Sequence, residues 1–377
     1  KIAVEPIPNP PTVLRRETPE RCTMSETLLS GYDALLSDLD GVVYAGPFAI
    51  PGAPEALNRA EDSGTPVVFV TNNASRSVDS VAEHLRELGV KTRADRVVSS
   101  AQASAALLAQ QLPAGANVLV TGTDALANCV LEAGLTPVRS QRENPVAVVQ
   151  GFNPRLIWED LAEASYTLVD EQVLWVATNT DKTIPKERGQ APGNGTLVAA
   201  VATATGRTPQ VAGKPEAAIF ETAAASVKAQ KPVVVGDRLD TDVLGANRAG
   251  MHGAIVLTGV QTYADVIAAV PDQRPAYILR TLDDFFAPYP NIEVVFEGYE
   301  TAAYGPRWQA NVRGEHIQLT APEGFSTTAA HKNFAGSDDE AEAWRVACAA
   351  WWAAHPDRGG VPEVHGLPNA SGAEGTS

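Results

Sequence analysis

The sequence predicts an α/β fold in which a doubly wound parallel sheet carries an inserted α/β domain and a small C-terminal α+β region. From Tyr32 onward, short apolar runs alternate with amphipathic stretches, the pattern of a parallel sheet covered by helices. The runs that begin at Tyr32, Val67 and Val233 each end in polar residues. Such polarity is common in loops, but ligands bind beyond the carboxyl ends of parallel strands. These three ends are therefore expected to meet at one site.

Composition limits the partners and the compartment. The 377 residues are enough for more than one domain, at ~150 residues per domain. A formal charge of −16 argues against nucleic acid or an anionic membrane as a partner. No apolar run approaches the ~18 residues of a membrane-spanning helix, so membrane insertion is not expected. The three cysteines are odd in number and widely spaced, which disfavours a disulfide framework or zinc site and favours the cytoplasm.

The apolar runs also predict the domain boundaries. Between the second and third core strands, a long segment has strand-like runs that begin at Asn117, Val146 and Val173, with helical stretches at 154–169 and 196–205. It reads as a second α/β domain. The predicted parts are a flexible leader (1–29), a catalytic core (30–106 and 209–288), the insert (107–208), a C-terminal α+β region (289–356) and a flexible tail (357–377).

The C-terminal region is predicted to contain antiparallel strands at 293–296, 308–312 and 316–319, followed by a helix. Ser337 and Glu340 form a capping-box pair at the start of that helix, and Pro356 follows its end. Its tryptophans are expected to pack in a core. The region is either an interaction or dimerisation module or a degenerate acetyltransferase-like fold. No glycine-rich turn precedes the helix, so we predict no acetyl transfer.

Two carboxylates follow the first core strand. Asp38 and Asp40 lie two positions apart, and Gly41 permits a sharp turn directly after them. Both side chains can then border one pocket. Carboxylates also solvate strand ends without any catalytic role, so this pair alone is a weak signal.

The other strand ends supply complementary groups. Thr71 and Asn72 offer a hydroxyl and amides that can cradle an anion, or else cap a helix. Lys214 precedes a proline suited to a helix start, and it is either a site cation or a surface lysine. Asp237 and Asp242 add carboxylates at the third end. For Asp240, between them, helix capping is the expected role.

The combination of these groups favours one chemistry. Oxygen ligands from Asp38, a backbone carbonyl and Asp237 suit Mg²⁺, which keeps several waters. Phosphoryl transfer needs a nucleophile in line with the leaving group, positive charge near the phosphoryl oxygens and a proton for the leaving group. The residue types at the three strand ends provide each of these. The sequence therefore predicts magnesium-dependent phosphoryl transfer.

Taken in order, the motifs resemble those of the haloacid dehalogenase superfamily of phosphohydrolases, and within it the NagD-like phosphatases. The resemblance covers about Asp33 to Asp284 and implies a Rossmann-like core with a large inserted cap. The segment 177–181, continuing to Pro185 and 192–195, is also similar to that subfamily. The motifs are 38–44, 71–76, 213–215 and 236–242.

The resemblance also implies a role for each site residue. Asp38 would be the nucleophile that forms an aspartyl-phosphate, and Asp40 would protonate the leaving alcohol and later activate water. Asp242 would lie behind the metal ligands or make a further metal contact. The implied phosphate contacts are Thr71, Asn72 and Lys214, and the implied Mg²⁺ ligands are Asp38, Asp40 and Asp237.

A cap over the pocket would exclude phosphoproteins and favour a small phosphorylated metabolite. The appended C-terminal region and the 236–242 motif resemble bacterial glycerol 3-phosphate phosphatases of this subfamily, which implies glycerol 3-phosphate as substrate. Phosphoglycolate, pyridoxal phosphate and nucleoside monophosphates are the alternatives. Candidate substrate contacts in the cap are Asn179, Asp181 and Lys182, although most of the cap's cations are expected to be solvated surface charges.

A hypothesis from another class is a phosphoacceptor signalling domain. Such a receiver also brings acidic residues, Thr and Lys to the strand ends of a doubly wound sheet. Its compact fold has no room for the insertion at 107–208, and it needs no second aspartate after the first. The sequence is compatible with a homo-oligomer.

Overall fold

The computed structural model describes residues 26–186, 188–298, 300–321 and 336–367. The chain divides into two compact units, one of residues 32–255 and one that combines 1–31 with 256–377. Most of the predicted leader lies outside the described residues. Leu28–Gly31 nevertheless forms a 3₁₀ turn with Leu28 and Leu29 buried, so the prediction of flexibility is wrong for these two residues.

The unit 32–255 contains both the predicted core and the predicted insert. Its strands are β1 (Ala34–Ser37), β2 (Tyr44–Ala45), β3 (Phe48–Ala49), β4 (Val67–Thr71), β5 (Val97–Ser99), β6 (Asn117–Thr121), β7 (Thr136–Val138), β8 (Ala147–Gln150), β9 (Leu174–Ala177), β10 (Thr183–Lys186), β11 (Gly189–Pro192), β12 (Gln210–Val211), β13 (Pro232–Gly236) and β14 (His252–Val256). Its helices are α1 (Ala53–Asp62), α2 (Val78–Glu87), α3 (Ser100–Gln111), α4 (Asp124–Glu132), α5 (Trp158–Thr167), α6 (Asn194–Thr205), α7 (Ala217–Ser226) and α8 (Leu244–Arg248).

The core sheet of this unit has the order β14-β13-β1-β4-β5, and every pairing in it is parallel. Every residue of β1, β4 and β13 is buried, as expected for strands that are covered by helices on both faces. The chain runs from β1 to β4 and β5 on one side, and β13 and β14 lie on the other. The end of β1 is therefore the point where the strand order reverses, which is where ligands bind in such sheets.

The insert forms a second parallel sheet with the order β12-β9-β8-β6-β7. Its core includes the buried side chains of Leu119, Val148, Trp175 and Val201. The predicted α/β core with an inserted α/β domain is confirmed. The insert's sheet continues past the predicted end at residue 208, because β12 pairs with β9.

Two helices of the insert begin at residues other than those predicted. The helix predicted at 154–169 begins at Trp158, because the Asp160 carboxylate accepts from the backbone N–H of Ile157 and fixes the start there. The helix predicted from Thr196 begins at Asn194. Both differences are local and leave the sheet order unchanged.

The unit that includes residues 256–367 is built on a second type of sheet. Its elements are α9 (Tyr263–Ile267), β15 (Tyr277–Leu279), β16 (Glu293–Glu297), β17 (Glu300–Tyr304), β18 (Gln309–Arg313), β19 (His316–Thr320), α10 (Asp338–Ala354) and β20 (Glu363–His365). Strands β16 to β19 pair antiparallel in chain order, and β20 adds to β19 in parallel. The predicted C-terminal α+β region is confirmed.

Two strands of this sheet were not predicted. β17 contains the buried pair Ala302 and Ala303, and alanine gives little strand signal. β20 lies within the predicted flexible tail, which is wrong for these residues because they pair with β19. The last residues of the predicted tail, 368–377, lie outside the described residues.

Helix α10 packs through the predicted aromatic stripe. Trp351 is fully buried, Trp344 stacks on Tyr263 at 5.5 Å between ring centroids, and Trp352 Nε1 donates to the carbonyl of Ile267 at 3.1 Å.

The start of α10 is capped by Ser337. Its hydroxyl accepts from the backbone N–H of Glu340, as a capping box requires. The reciprocal bond of the predicted capping box differs, because the Glu340 carboxylate accepts from the N–H of Gly336.

Within the parts of the chain that the structure describes, none of the helices combines the length and the apolar character of a membrane span.

Candidate active site

Asp38 follows β1 directly, at the middle of the core sheet. Its backbone N–H still donates to the carbonyl of Val235 at 2.9 Å, so the neighbouring strand β13 fixes the backbone of this residue. Its side chain accepts from Lys214 Nζ at 2.5 Å, and the same ammonium lies 2.7 Å from Asp242 Oδ1. The three side chains are largely buried, with 12%, 4% and 1% of their surfaces exposed. The structure thus brings together one lysine and two aspartates that are distant in sequence.

Burial and charge act in opposite directions on this group. Burial alone would lower the pKa of the Lys214 ammonium, but the Asp242 and Asp38 carboxylates outweigh that effect and raise it. Burial raises the pKa of Asp38 despite the attraction of Lys214. For Asp242, burial and then the charge of Asp38 raise the pKa to about 6. Lys214 therefore stays positively charged, and it has to stabilise two crowded carboxylates.

A third carboxylate completes the cluster. Among the described residues, Asp38, Asp237 and Asp242 each offer an oxygen, and these atoms all lie within 4.8 Å of one another. The three donors are hard carboxylate oxygens, which suit Mg²⁺ or Ca²⁺ better than metals that prefer nitrogen or sulfur. A dication would also offset the excess negative charge beside Lys214. The donor set therefore fits the predicted magnesium.

The side chain of Asp40 lies outside that carboxylate group. A metal contact from Asp40 would therefore come from its backbone carbonyl, and this stays a prediction. Its carboxylate borders solvent on one side, while packing on the other side desolvates it and raises its pKa. The charges of Lys214, His84 and Arg76 oppose this rise without cancelling it. Asp40 thus holds a proton more readily than an ordinary aspartate.

Gly41 allows the turn after Asp40 to approach the Asp237 side chain closely. Its φ is +79°, and a Cβ atom at this position would lie 2.2 Å from Asp237 Oδ2. Only glycine fits a positive φ and this approach together. The turn continues with the Gly41 N–H donating to the carbonyl of Tyr44 at 2.8 Å, and the short hairpin β2–β3 follows.

The end of β4 carries Thr71 and Asn72. Thr71 is buried, and its hydroxyl accepts from the backbone N–H of Asn73 at 3.1 Å. The Asn72 side chain holds both backbone groups of Lys214: Oδ1 accepts from its N–H at 2.7 Å, and Nδ2 donates to its carbonyl at 3.1 Å. Asn72 therefore positions Lys214. Phosphate contacts from Thr71 and Asn72 stay predictions.

The loop after β9 brings the insert to the same place. Asn179 Nδ2 donates to the backbone carbonyl of Asn72 at 2.7 Å, and the Asp181 carboxylate accepts from Asn72 Nδ2 at 3.3 and 3.4 Å. Burial raises the pKa of Asp181, although Asn72 opposes this. Lys182 is exposed, and its carbonyl accepts from Gly193 at 2.8 Å. The predicted substrate contacts of Asn179, Asp181 and Lys182 stay predictions, and the Asn179 amide is bound within the protein.

After β13 the chain makes a π-helical turn, Leu239–Val243, that orients the last motif. Asp242 Oδ2 accepts from the backbone N–H of Arg238 at 3.3 Å, and Gly236 has no room for a Cβ because Asp242 lies against it. The prediction that Asp240 caps a helix is wrong. Its carboxylate instead pairs with the Arg238 guanidinium at 3.0 and 2.8 Å.

Residues near Asp40 were missed by sequence reasoning. Arg76 and His84 both act on its charge, and the His84 ring contacts Tyr44 edge-on at 5.2 Å between centroids. Arg76 is the last residue of the 71–76 motif, so that motif could have indicated that it lies near the site. His84 lies within α2 and has no neighbouring motif, so only the folded structure identifies it.

Family models match both halves of the core. Residues 35–136 match a model described as haloacid dehalogenase-like hydrolase, and residues 211–285 match one described as HAD-hydrolase-like. A D-glycerol 3-phosphate phosphatase of Mycobacterium tuberculosis is 45% identical over 296 residues, which are 78% of this chain and 80% of that protein. An acid sugar phosphatase of Staphylococcus aureus is 38% identical over 258 residues, which are 68% and 97% of the two chains.

Solved structures give the same result. A crystal structure of the glycerol phosphate phosphatase of M. tuberculosis in complex with magnesium has a TM-score of 0.76 at 41% identity, and covers 90% of this chain and 96% of that one. A p-nitrophenyl phosphatase of Archaeoglobus fulgidus has a TM-score of 0.62 at 30% identity, with coverages of 68% and 98%. These likenesses confirm the resemblance that was drawn from the motifs.

Proposed function

The chain belongs to the haloacid dehalogenase-like hydrolases and is a phosphoric monoester hydrolase, and from this membership we propose that it cleaves a small phosphate ester through a phosphorylated Asp38. The observation that carries the proposal is the buried group at the end of β1. There, Lys214 contacts Asp38 at 2.5 Å and Asp242 at 2.7 Å, and Asp237 lies beside them. In the proposed mechanism, Asp38 is the nucleophile, Lys214 is the cation beside it and Asp237 is a metal ligand.

The first step forms a bond between an Asp38 carboxylate oxygen and phosphorus, while the bond from phosphorus to the alcohol oxygen breaks. Asp40 donates its proton to the departing alcohol. The raised pKa of Asp40 supports this role, because an ordinary aspartate would be ionised at neutral pH. The products of this step are the free alcohol and an acyl phosphate on Asp38.

In the second step, ionised Asp40 accepts a proton from water as that water attacks phosphorus. The bond from phosphorus to Asp38 breaks, and inorganic phosphate leaves with Asp38 again a carboxylate. Lys214 and Thr71 hold the phosphoryl oxygens during both steps. Asp38 and Asp237, with Asp242 adjacent, would hold magnesium, whose positive charge would stabilise those oxygens. Asn72 keeps Lys214 in place through both of its backbone groups.

Glycerol 3-phosphate is the substrate that the comparisons favour. The relative with that printed activity is 45% identical, and the corresponding solved structure covers 90% of this chain, whereas the p-nitrophenyl phosphatase covers 68%. The loop of Asn179 and Asp181 lies against Asn72, which restricts the space for a large phosphorylated partner. Phosphoglycolate, pyridoxal phosphate and nucleoside monophosphates are the alternative substrates. We place the reaction in the cytoplasm on the basis of cysteine usage, and a homo-oligomer stays a prediction.

A screen of phosphate esters tests the proposal. We expect kcat/KM for glycerol 3-phosphate to exceed the values for phosphoglycolate, pyridoxal phosphate and a nucleoside monophosphate, and chelation of magnesium to abolish phosphate release. Preference for another ester would overturn the substrate and leave the reaction class intact. Phosphorylation of the protein without steady phosphate release would instead support the phosphoacceptor alternative.

A further inference from the structure

A second group of metal-ligating side chains lies in the C-terminal sheet. His316 Nδ1 is 3.0 Å from Glu363 Oε2, and His365 Nε2 is 3.7 Å from the same oxygen. The two imidazole rings face each other, with centroids 5.8 Å apart and planes 22° from parallel. One ligand atom from each of the three residues lies within 4.8 Å of the others.

Strand pairing places the three side chains on one face. His316 is opposite Glu363 in the parallel register of β19 and β20, and His365 is two positions after Glu363. Side chains two positions apart on a strand point to the same face. In β19 the alternation of exposed His316 with buried Ile317 shows that this face is the solvent side. The backbone therefore holds the three donors together.

We propose that His316, Glu363 and His365 bind a transition-metal dication of the zinc class and thereby tie β20 to β19. Two imidazoles and one carboxylate form a ligand set that zinc accepts, with water in the remaining position. Ligands at ~2.1 Å from a shared tetrahedral ion lie about 3.4 Å apart. The observed separations of 3.0 and 3.7 Å from Glu363 to the imidazoles bracket that value.

The donor types separate this site from the active site. The carboxylates of Asp38, Asp237 and Asp242 offer oxygen only, which suits magnesium. The C-terminal group offers two imidazole nitrogens, which suit zinc, copper or nickel and are poor ligands for magnesium. A surface ion pair would account for one imidazole beside Glu363, but it gives no reason for the second. The inference does not depend on the proposed phosphatase mechanism.

The site also has a structural consequence. β20 is a short strand that pairs with β19, and the Glu363 N–H donates to the carbonyl of Glu315 at 2.9 Å. A ligand that binds only the folded state stabilises it by mass action. Zinc would therefore hold residues 363–365 against β19 and reduce the opening of this strand.

Zinc titration of the full chain in saturating magnesium tests the proposal. Asp38→Asn serves as the parent, because it weakens zinc binding at the catalytic carboxylates. In calorimetry, we expect the parent and its Gln318→Ala derivative to bind zinc alike, since Gln318 lies on the same strand face and offers neither an imidazole nor a carboxylate. Adding His316→Ala and His365→Ala should abolish this binding event. Unchanged zinc binding in that variant would overturn the site.

Hydrogen exchange gives a second readout in the same proteins. Zinc should slow amide exchange at residues 363–365 in the parent and have no such effect when both histidines are replaced. Glu363→Gln should weaken the zinc effect while retaining the strand pairing. Equal exchange of these amides with and without zinc in the parent would contradict the proposed link between β19 and β20.

Discussion

Lys214 illustrates how one residue organises this site. Its ammonium contacts Asp38 and Asp242, while both of its backbone polar groups bond to the Asn72 side chain. The two aspartates hold the charged end of the lysine, and Asn72 holds its main chain. A lysine with this many fixed contacts loses the freedom that surface lysines keep, so the position of its charge is set before substrate arrives.

Replacing Asn72 tests this positioning. We expect Asn72→Ala to reduce kcat/KM about 100-fold, because Lys214 would be misplaced relative to the phosphoryl group. The loss of the hydrogen bonds from the Asn72 side chain to Lys214 and Asp181 should also lower the free energy of unfolding by about 1–3 kcal/mol. Steady-state kinetics and urea unfolding measure the two effects.

Asn58 provides the matched control. Its side chain also bridges two backbone groups, donating to the Gly89 carbonyl at 2.8 Å and accepting from the Lys91 N–H at 2.7 Å, but it is partly exposed and neither bond involves a site residue. Asn58→Ala should lower stability and leave kcat/KM near that of the unmodified protein. Equal kinetic losses in the two variants would refute a positioning role for Asn72.

The pH dependence reports on Asp40. Burial raises its pKa, and the charge of Arg76 is one of those that oppose the rise. The first step needs protonated Asp40, so kcat/KM should fall as pH rises through this pKa. Arg76→Gln removes a lowering charge and should raise the pKa, moving that fall to higher pH.

Arg86→Gln, on helix α2, which begins just after Arg76, is the control for this shift. Arg86 is exposed and is not among the charges that act on Asp40. Its replacement should leave the pH profile of kcat/KM in place. A profile that moves to lower pH in Arg76→Gln would show that the alkaline limb belongs to another group.

For single residues, the sequence indicated which residue types form the site but not all of their hydrogen-bond partners. Asp38, Lys214 and Asp237 could be grouped because each lies close to the end of a predicted strand. The bonds from Asn72 to Lys214 join residues 142 positions apart, and those from Asn72 to Asp181 join residues 109 positions apart. Pairings of that kind depend on side-chain directions in the folded chain, which sequence spacing does not contain.

Among the elements, the turn after β1 has the strictest requirement. Gly41 combines a φ of +79° with contact against Asp237, whereas Gly46 has a φ of +59° and nothing within 4 Å of the place that a Cβ atom would take. The two glycines lie at the start and in the middle of the same loop and hairpin. Replacing each glycine in turn therefore separates the energetic cost of a side chain at positive φ from the effect of crowding the Asp237 carboxylate.

We expect Gly41→Ala to abolish most phosphatase activity, because its Cβ would displace the Asp237 carboxylate by more than the site tolerates. Gly46→Ala should cost about 1–2 kcal/mol of stability from the positive φ alone and retain activity. Thermal unfolding and magnesium-dependent kcat/KM distinguish them. Full activity in Gly41→Ala would mean that Asp237 need not occupy its observed place.

The strands that the sequence predicted correctly are those with a strong local run of apolar residues. β4 and β13 are runs of valine and other apolar residues, so both were identified. β17 and β20 have no comparable run, and they are strands because their neighbours pair with them. Pairing is a tertiary interaction that overrides weak local preference.

Across the whole molecule, the order of elements was predictable because the core returns to its sheet after a long insertion. Valine-rich strands before and after residues 107–208 and the polar groups at their ends were sufficient to indicate a split core. Residues 256–288 were predicted to belong to the core, and the family match to 211–285 supports this. They also pack closely with the C-terminal region, where Arg345 donates to Ile278 and contacts Asp284.

Phosphate release by Asp38→Asn is the decisive test of whether Asp38 attacks phosphorus. The amide is nearly the same size as the carboxylate but cannot act as the nucleophile. With magnesium and glycerol 3-phosphate, we expect no turnover, an unchanged circular dichroism spectrum, and normal turnover in the control Asp62→Asn, whose exposed carboxylate pairs with Lys91. Sustained phosphate release by Asp38→Asn would contradict the mechanism.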